Sequence, residues 1–221
     1  HVKMEVKMQI IKVNTSLVER QEIETIVDVL RKEGVIVFPT ETFYGLGADC
    51  FSKKASKRIF RLKSRGFSKP LPVVISDLNM LQDIVTEIPD NFHVLASRFW
   101  PGPLTLVLKA SKQAPKEVLS VNGCIGVRLP GQPWLRELIR QFASPLTATS
   151  ANISGRAEIS NPEDVLKTFF GKIDLFVNGG PTQGVFPSTV VDLTLGRPKI
   201  LREGAVPKSE LKEYLELRSE L

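Results

Sequence analysis

Short polar motifs directly follow apolar, β-branched runs at three places in this chain. The motif PTETFYGLG follows residues 35–38, TSANISG follows residues 146–148, and GGPTQGVFPSTVVDL surrounds Ser188. In α/β proteins, hydroxyls, amides and glycines at the ends of buried strands build a mouth that binds ligands and anions. Basic residues lie near comparable strand ends, at Lys63, Arg65, Arg128 and Arg202. This combination predicts a pocket that handles a nucleotide.

Apolar periodicity and turn residues predict that helices alternate with strands along the chain. The predicted strands are 10–13, 35–38, 73–75, 104–108, 125–129, 146–149, 175–177, 190–193 and 199–201. A capping box at Ser16–Glu19 is expected to open a helix that ends before Gly34, and the last helix is expected over 208–218. Interleaved helices and strands indicate the α/β class, and short connections late in the chain favour a mixed sheet. We predict a twisted mixed sheet flanked by helices, with a large concave cavity.

The length and composition are those of an enzyme-sized domain. With 221 residues, of which 42% are hydrophobic, the chain can bury one substantial core. We expect a single domain with a core over about residues 12–206, with residues 1–8 outside it, and the sequence leaves open whether residues 1–7 are native. No apolar run approaches the ~20 residues that cross a bilayer, and the N-terminus lacks the apolar core of a secretion signal. A cytoplasmic protein without a membrane partner is therefore expected.

Cysteines and histidines are too few for several familiar kinds of site. Cys50 and Cys124 form no CxxC pair, and the histidines are His1 and His93. A disulfide framework, a zinc knuckle and a Ser-His-Asp triad are therefore not predicted. The chemistry is expected to rely on cations, hydroxyls and a bound Mg²⁺ ion rather than on a metal site built by the protein.

A basic segment accounts for much of the net charge of +6. Residues 52–69 contain eight basic residues and no acidic one. On a helix, one face would carry Ala55, Ile59 and Leu62 and the opposite face Lys53, Lys57 and Arg61. The outer stripe has the pattern of a solvated face, whereas Lys63 and Arg65 lie at the helix exit and can point inward.

The chain has neither a P-loop nor a dinucleotide fingerprint. Instead, six segments occur in order over about residues 12–206: PTETFYGLG, KSR with KPL, WPGPLT, GVRLP, SANISG and the segment from Gly180 to STVVD. Together they resemble the YrdC family of threonylcarbamoyl-adenylate synthases. Longer members carry an additional C-terminal domain, so this chain is expected to be the short, single-domain form with a YrdC-like fold.

The resemblance implies a nucleotidyltransferase that uses L-threonine, bicarbonate and ATP. The products would be threonylcarbamoyl-adenylate and pyrophosphate, on the route to N6-threonylcarbamoyladenosine in tRNA. A downstream threonylcarbamoyl transferase would be a partner, and Mg²⁺ is expected with ATP. No covalent enzyme nucleophile is needed, because positioning and cationic stabilisation can supply most of the rate enhancement.

Site residues also follow from the resemblance. Those expected to bind threonine are Thr40, Arg128, Ser150 and Ser188. Those expected to bind ATP are Arg65, Lys69, Asn152, Ser160 and Arg202, with Lys63 and Arg65 in catalytic roles. Val74 stands where some members have a histidine near the threonine, which leaves that contact missing or supplied elsewhere.

Structural roles are an alternative for these residues. Thr40 could cap a turn, Ser150 and Asn152 could be a hydrogen-bonded loop pair, and Arg128 could be a buried ion-pair partner. Arg128 is the strongest site candidate because an arginine in an otherwise apolar strand needs an anionic partner.

Two other functions fit parts of the sequence. A module that binds double-stranded RNA or tRNA without catalysis would explain the basic helix, although it leaves the strand-end hydroxyls unexplained. A related domain that forms a carbamoyl-adenylate on another amine would keep most of the site. Release of pyrophosphate from ATP that depends on threonine and bicarbonate would distinguish all three.

Overall fold

The structure is a computed structural model that describes residues 7–64, 66 and 69–215. The strands are β1 (Gln9–Lys12), β2 (Ile36–Pro39), β3 (Tyr44–Gly47), β4 (Val73–Val74), β5 (Leu104–Lys109), β6 (Cys124–Arg128), β7 (Leu146–Thr147), β8 (Thr149–Ser150), β9 (Leu175–Asn178), β10 (Thr189–Asp192) and β11 (Lys199–Arg202). The helices are α1 (Arg20–Arg31), α2 (Lys53–Lys63), α3 (Leu81–Ile84), α4 (Asp90–Phe99), α5 (Pro133–Phe142), α6 (Pro162–Phe169) and α7 (Lys208–Leu215). The expected end of the last helix, 216–218, lies outside the described residues.

The strands form two mixed sheets rather than the one that the sequence predicted. One sheet has the order β1-β9-β2-β3-β8 and the other has the order β11-β10-β5-β6-β4-β7. Strands β1 and β2 run parallel to β9, whereas β2 and β3 form an antiparallel pair. In the second sheet, β10 runs parallel to β5, and β5 is antiparallel to β6. The predicted α/β class with mixed pairing is confirmed.

The first helix begins later than the sequence predicted. Ser16 lies in a turn in which its backbone N–H donates to Asn14 Oδ1, so Ser16 does not cap a helix. The helix begins at Arg20, and its capping box joins Glu19 to Glu22 through the Glu19 N–H, 2.8 Å from Glu22 Oε2. The predicted capping box was wrong because the chain uses a glutamate at the cap position, where sequence rules favour serine.

Strand β3 was not predicted, because its sequence is part of the polar motif PTETFYGLG. Residues 40–43 make the turn between β2 and β3, and all four residues of β3 are buried. Gly47 is required there, since a Cβ atom at this position would lie 2.0 Å from the carbonyl oxygen of Thr147. The motif is therefore a turn followed by a buried strand, which brings Thr40 to the end of the five-stranded sheet.

The basic helix α2 packs as its pattern predicts. Ala55 and Ile59 are fully buried, whereas Lys53, Lys57 and Arg61 are exposed. Among the described residues, no helix has the length and apolar character that crossing a membrane requires.

A half-buried carboxylate fastens helix α2 to the five-stranded sheet. Asp174, just before β9, accepts a hydrogen bond from the backbone N–H of Val35 at 2.7 Å and pairs with the guanidinium of Arg58. Arg58 also donates to the carbonyl oxygen of Lys172 at 2.7 Å. Asp174 therefore joins α2, the approach to β2 and the start of β9.

Replacing Asp174 by alanine should lower the free energy of unfolding by about 1–2 kcal/mol. The change leaves the Val35 N–H and the Arg58 guanidinium without their shared acceptor, and partial exposure limits the cost. Urea unfolding measures the loss. Asp164→Ala is the matched control, because Asp164 forms an exposed i,i+3 pair with Lys167 and should change the free energy by less than about 0.5 kcal/mol. Equal effects of the two substitutions would contradict this role.

Candidate functional site

A pocket of about 810 Å³ lies over one face of the six-stranded sheet. Side chains alternate between the two faces of a strand, so every second residue of β5 and β6 reaches the pocket. These residues are Thr105, Val107, Lys109, Cys124, Gly126 and Arg128. The turn between β2 and β3 and the neighbouring segment 148–150 also line the pocket. Both sheets therefore contribute to one site.

Five of the ten predicted site residues line this pocket: Thr40, Arg128, Ser150, Ser188 and Arg202. They come from parts of the chain as far apart as residues 40 and 202, and only folding brings them together. Among the described residues, four predicted residues lie outside the lining: Lys63, Lys69, Asn152 and Ser160. Arg65, predicted for both ATP binding and catalysis, lies outside the described residues.

Arg128 is a buried cation at the end of β6. It is 7% exposed, and its Nη1 atom lies 3.4 Å from Oε1 of Glu41. The same oxygen accepts a hydrogen bond from the backbone N–H of Gly131 at 3.1 Å, whereas Glu41 Oε2 is buried with no hydrogen-bond partner. Arg128 is thus both an ion-pair partner and part of the pocket wall.

Ser188 links a buried hydroxyl to a second cation. The Arg202 guanidinium donates to the Ser188 carbonyl oxygen at 2.8 and 3.1 Å and to Ser188 Oγ at 3.2 Å. Ser188 Oγ lies 3.1 Å from the hydroxyl of Thr105. Partial burial of the guanidinium lowers the pKa of Arg202, although the residue as a whole is exposed; Glu158 opposes this effect and the positive charge of Arg128 adds to it. Two guanidinium groups, those of Arg128 and Arg202, line this pocket, so it favours anions.

The segment that carries Ser188 is held by contacts with β3 and with the chain that follows β11. The Tyr44 hydroxyl donates to the carbonyl oxygen of Gly180 at 2.6 Å, and burial raises the pKa of Tyr44 to about 12. Ala205 N–H donates to the carbonyl oxygen of Pro187 at 2.8 Å. Both anchored residues precede Ser188 in the chain, and Pro187 is its direct neighbour.

Thr40 organises the turn between β2 and β3. Its hydroxyl donates to the carbonyl oxygen of Phe43 at 2.7 Å and accepts from the backbone N–H of Thr42 at 3.1 Å. The Thr42 hydroxyl lies 3.0 Å from Thr40 Oγ1. The turn-capping role therefore coexists with a place in the pocket wall.

Lys63 holds the loop that supplies Ser150. The lysine is the last residue of α2 and is 1% exposed. Its Nζ atom donates to the Ser150 carbonyl oxygen and to the carbonyl and Oδ1 oxygens of Asn152, the latter two at 2.8 Å. Ser150 Oγ also donates to Asn152 Oδ1 at 2.7 Å. The inward direction predicted for Lys63 is present, and its ammonium fixes the loop 149–155.

The pocket lining also includes polar residues that the sequence analysis did not assign to the site, among them Thr42, Thr105, Thr149 and Glu158. Thr105 could have been found, because it is a threonine between apolar residues in a predicted strand. Glu158 follows the SANISG motif in a loop without a periodic pattern, and nothing local in the sequence indicates that it turns toward Arg202.

Carboxylates at this pocket do not form a cluster typical of a protein-built metal site. In the part of the chain that the structure describes, no group of three or more His, Cys, Asp or Glu side chains could hold a metal ion. Glu158 and Asp192 line the pocket, and Asp192 Oδ1 already accepts from the N–H and hydroxyl of Thr194 at 2.8 and 2.6 Å.

Replacing Lys63 by methionine should destabilise the protein by at least about 2 kcal/mol, because buried carbonyl oxygens would lose their donor. Hydrogen exchange of the amides in 149–155 should accelerate, and unfolding in urea gives the free energy. Lys57→Met, on the exposed face of the same helix, is the matched control and should leave both measurements nearly unchanged. Normal protection of 149–155 in the Lys63 variant would show that the ammonium does not fix the loop.

Comparisons with known proteins agree with this architecture. The Sua5/YciO/YrdC family profile, described as "Telomere recombination", matches residues 28–204. A threonylcarbamoyl-AMP synthase from Pyrococcus abyssi is 38% identical over 90% of this chain and 58% of its own length. A putative threonylcarbamoyl-AMP synthase from Methanocaldococcus jannaschii is 31% identical over 94% of this chain and 99% of its own length.

Solved structures give the same result. The crystal structure of P. abyssi Sua5 complexed with L-threonine superposes with a TM-score of 0.89 at 38% identity, covering 94% of this chain and 61% of that one. The chain thus spans little more than half the length of the P. abyssi relative that it matches. The profile match and the level of identity confirm the resemblance inferred from the motifs: the chain belongs to the Sua5/YciO/YrdC family.

Proposed function

We propose that this chain is an L-threonylcarbamoyladenylate synthase, in one YrdC-like domain with a core over about residues 12–206. The observation that carries the proposal is the convergence of two guanidinium groups and three hydroxyl side chains on one pocket. The names of the P. abyssi and M. jannaschii relatives support it, as does the threonine bound to the P. abyssi neighbour.

Arg128 would hold the carboxylate of L-threonine. A guanidinium can donate two parallel hydrogen bonds to a carboxylate, and burial strengthens such a charged contact. Its ion pair with Glu41 engages Nη1, which leaves other N–H groups for the substrate. Ser150 and Ser188 would complete the amino-acid site, and the Thr40 hydroxyl would hydrogen-bond the threonine in place of its contact with the Thr42 hydroxyl.

Arg202 would bind ATP on the other side of Ser188. The further residues proposed for the nucleotide are Arg65, Lys69, Asn152 and Ser160. Mg²⁺ would neutralise phosphate charge, and the carboxylates of Glu158 and Asp192 are the described pocket groups suited to it. Because Mg²⁺ is commonly held by few carboxylates together with phosphate oxygens and water, this sparse donor set fits an ion that arrives with ATP.

The reaction requires an amine, a carbon dioxide equivalent and the α-phosphorus of ATP to meet. The neutral amine of threonine would attack carbon dioxide from bicarbonate, with loss of a proton, to give an N-carboxylate. A carboxylate oxygen would then attack the α-phosphorus and pyrophosphate would leave. Arg202, Arg65 and Lys63 would stabilise the charge on the phosphate oxygens, so that positioning and electrostatics carry the rate enhancement.

We expect wild-type protein to release pyrophosphate from ATP only when L-threonine and bicarbonate are both present. Arg128→Lys should raise the KM for threonine at least about tenfold with little change in that for ATP, because it keeps the charge and removes the two-pronged contact. Arg202→Ala should raise the KM for ATP with little change in the KM for threonine. Arg140→Lys, on the exposed face of α5, is the control for the first substitution.

The outcomes separate the candidate functions. Pyrophosphate release with another amine but not with threonine would support a related adenylate-forming enzyme. Equal effects of the Arg128 and Arg202 substitutions on both substrates would contradict the division of the pocket proposed above.

We also propose that the exposed stripe of α2 contacts tRNA or double-stranded RNA. The product, threonylcarbamoyl-adenylate, would pass to a downstream threonylcarbamoyl transferase. The observation that favours RNA is a row of basic side chains, Lys53, Lys57 and Arg61, exposed on one helix face. RNA phosphates would be held without reading of the base sequence.

Neutralising Lys53, Lys57 and Arg61 to glutamine should weaken RNA binding and reduce the slope of log K against log[salt] by about 2–3. Fluorescence anisotropy with a labelled duplex at several salt concentrations measures both quantities. The control removes the same charge from the exposed lysines 112, 116 and 167. If both triple variants lose affinity equally, only net charge matters and the stripe is not the RNA surface.

A further inference from the structure

Glu41 is the acidic residue of the turn that carries Thr40, and its carboxylate is partly buried against Arg128. We propose that Glu41 is a positioning residue, which holds the Arg128 guanidinium in the orientation that receives the carboxylate of the amino-acid substrate. The proposal rests on the function proposed above, in which Arg128 binds that carboxylate. Neither the family motifs nor the site residues inferred from them gave Glu41 a role.

The backbone on the Glu41 side is fixed. Thr40 N–H and Thr40 Oγ1 both bond to the carbonyl oxygen of Phe43, and Thr42 N–H bonds to Thr40 Oγ1. Gly184 packs over the same turn so closely that a Cβ atom there would lie 1.9 Å from the carbonyl oxygen of Thr42. Glu41 therefore projects from a turn that has little freedom to move.

The backbone on the Arg128 side is fixed as well. Arg136 Nη1 donates to the carbonyl oxygens of Pro130 and Gly131 at 2.7 and 3.0 Å, which holds the loop after β6. The Gly131 N–H then donates to Glu41 Oε1 at 3.1 Å. The Glu41 carboxylate is thus held by two hydrogen-bonded backbone segments, and a carboxylate held in this way can orient a neighbouring guanidinium.

The geometry of the ion pair lets Glu41 orient Arg128 without occupying all of the N–H groups of its guanidinium. Nη1 of Arg128 and Oε1 of Glu41 are 3.4 Å apart, longer than a typical charged hydrogen bond, and Oε1 is already shared with Gly131. Oε2 is buried without a hydrogen-bond partner, so the carboxylate faces Arg128 through one oxygen. The guanidinium is thus oriented by charge while its remaining N–H groups are left for a ligand.

The fixed carboxylate also offsets repulsion within the pocket. Burial lowers the pKa of Arg202, Glu158 opposes that effect, and the positive charge of Arg128 adds to it. Among the described residues, Glu41 is the ionic partner of Arg128. Removing its charge should let Arg128 turn away from Arg202 and so lose the orientation needed for a two-pronged contact.

Three roles for Glu41 predict different results for Glu41→Gln, which keeps an oxygen acceptor for the Gly131 N–H and removes the charge. If Glu41 only links its turn to the loop after β6, the affinity for threonine should not change. If it competes with the substrate for Arg128, affinity should increase. If it positions Arg128, affinity should fall, and this is the result expected here.

We expect Glu41→Gln to raise both the Kd and the KM for threonine about tenfold, as loss of one oriented charged contact does, with kcat and the KM for ATP changing less than about twofold. Isothermal titration calorimetry and pyrophosphate release measure these quantities. Glu137→Gln, an exposed glutamate of α5 that pairs with Arg140, is the matched control. Unchanged or tighter threonine binding in Glu41→Gln would overturn the proposal.

A double-mutant cycle tests whether Glu41 acts through Arg128. In an Arg128→Lys background, Glu41→Gln should weaken threonine binding by less than about twofold, because the oriented guanidinium is already gone. If the double variant raises the Kd for threonine by the product of the two single-variant increases, the proposal is overturned. If Glu41→Gln fails to fold, Glu41→Asp replaces it: the retracted carboxylate should still raise the KM for threonine, and an unchanged KM would overturn the proposal.

A measurement without substrate separates this inference from the proposed function. The Nε–Hε signal of Arg128 in ¹H–¹⁵N NMR is assigned by its loss in Arg128→Lys, and it should shift and exchange faster with solvent in Glu41→Gln. An unchanged signal would overturn the positioning role. Absence of threonine binding and of pyrophosphate release by the wild-type protein would instead reject the proposed function.

Discussion

The pocket depends on the buried ammonium of Lys63. Removing a charge from water is unfavourable by several kcal/mol unless polar partners replace the lost hydration. Here the partners are oxygens of Ser150 and Asn152, and the Lys63 carbonyl oxygen accepts from Ser154 N–H at 2.9 Å. Oxygens of the loop 149–155 thus replace water around this cation, and these bonds hold the loop to the end of α2.

From this loop the constraint extends across the five-stranded sheet. Ser150 belongs to β8 and pairs with Gly45 of β3, and β3 is joined to β2 through the turn that contains Thr40. The same strand β3 carries Tyr44, whose hydroxyl holds Gly180 and hence the segment leading to Ser188. Hydrogen bonds and strand pairings therefore connect the buried lysine at the end of α2 to the walls of the pocket.

The sequence predicted the parts of this site that are encoded locally. Arg128 was predictable because a charge in an apolar strand needs a partner, and the outer stripe of α2 was predictable because its charges recur at helical spacing. Strand β3 was not predictable, because its two glycines and the turn threonines before it hide a buried strand. The pairing of Glu41 with Arg128 has no local signal either, because the residues lie 87 positions apart and only the packing of the two sheets brings them together.

Under the proposed function, Ser188 marks the boundary between the threonine side and the ATP side of the pocket. Its hydroxyl lies between Thr105 on the sheet floor and the guanidinium of Arg202. Under the proposed function, threonine lies on the Arg128 side and ATP on the Arg202 side, so the N-carboxylate and the α-phosphate must meet near this serine. Two anionic groups approach each other only where positive charge is near them, and the guanidinium groups of Arg128 and Arg202 in the pocket lining supply it.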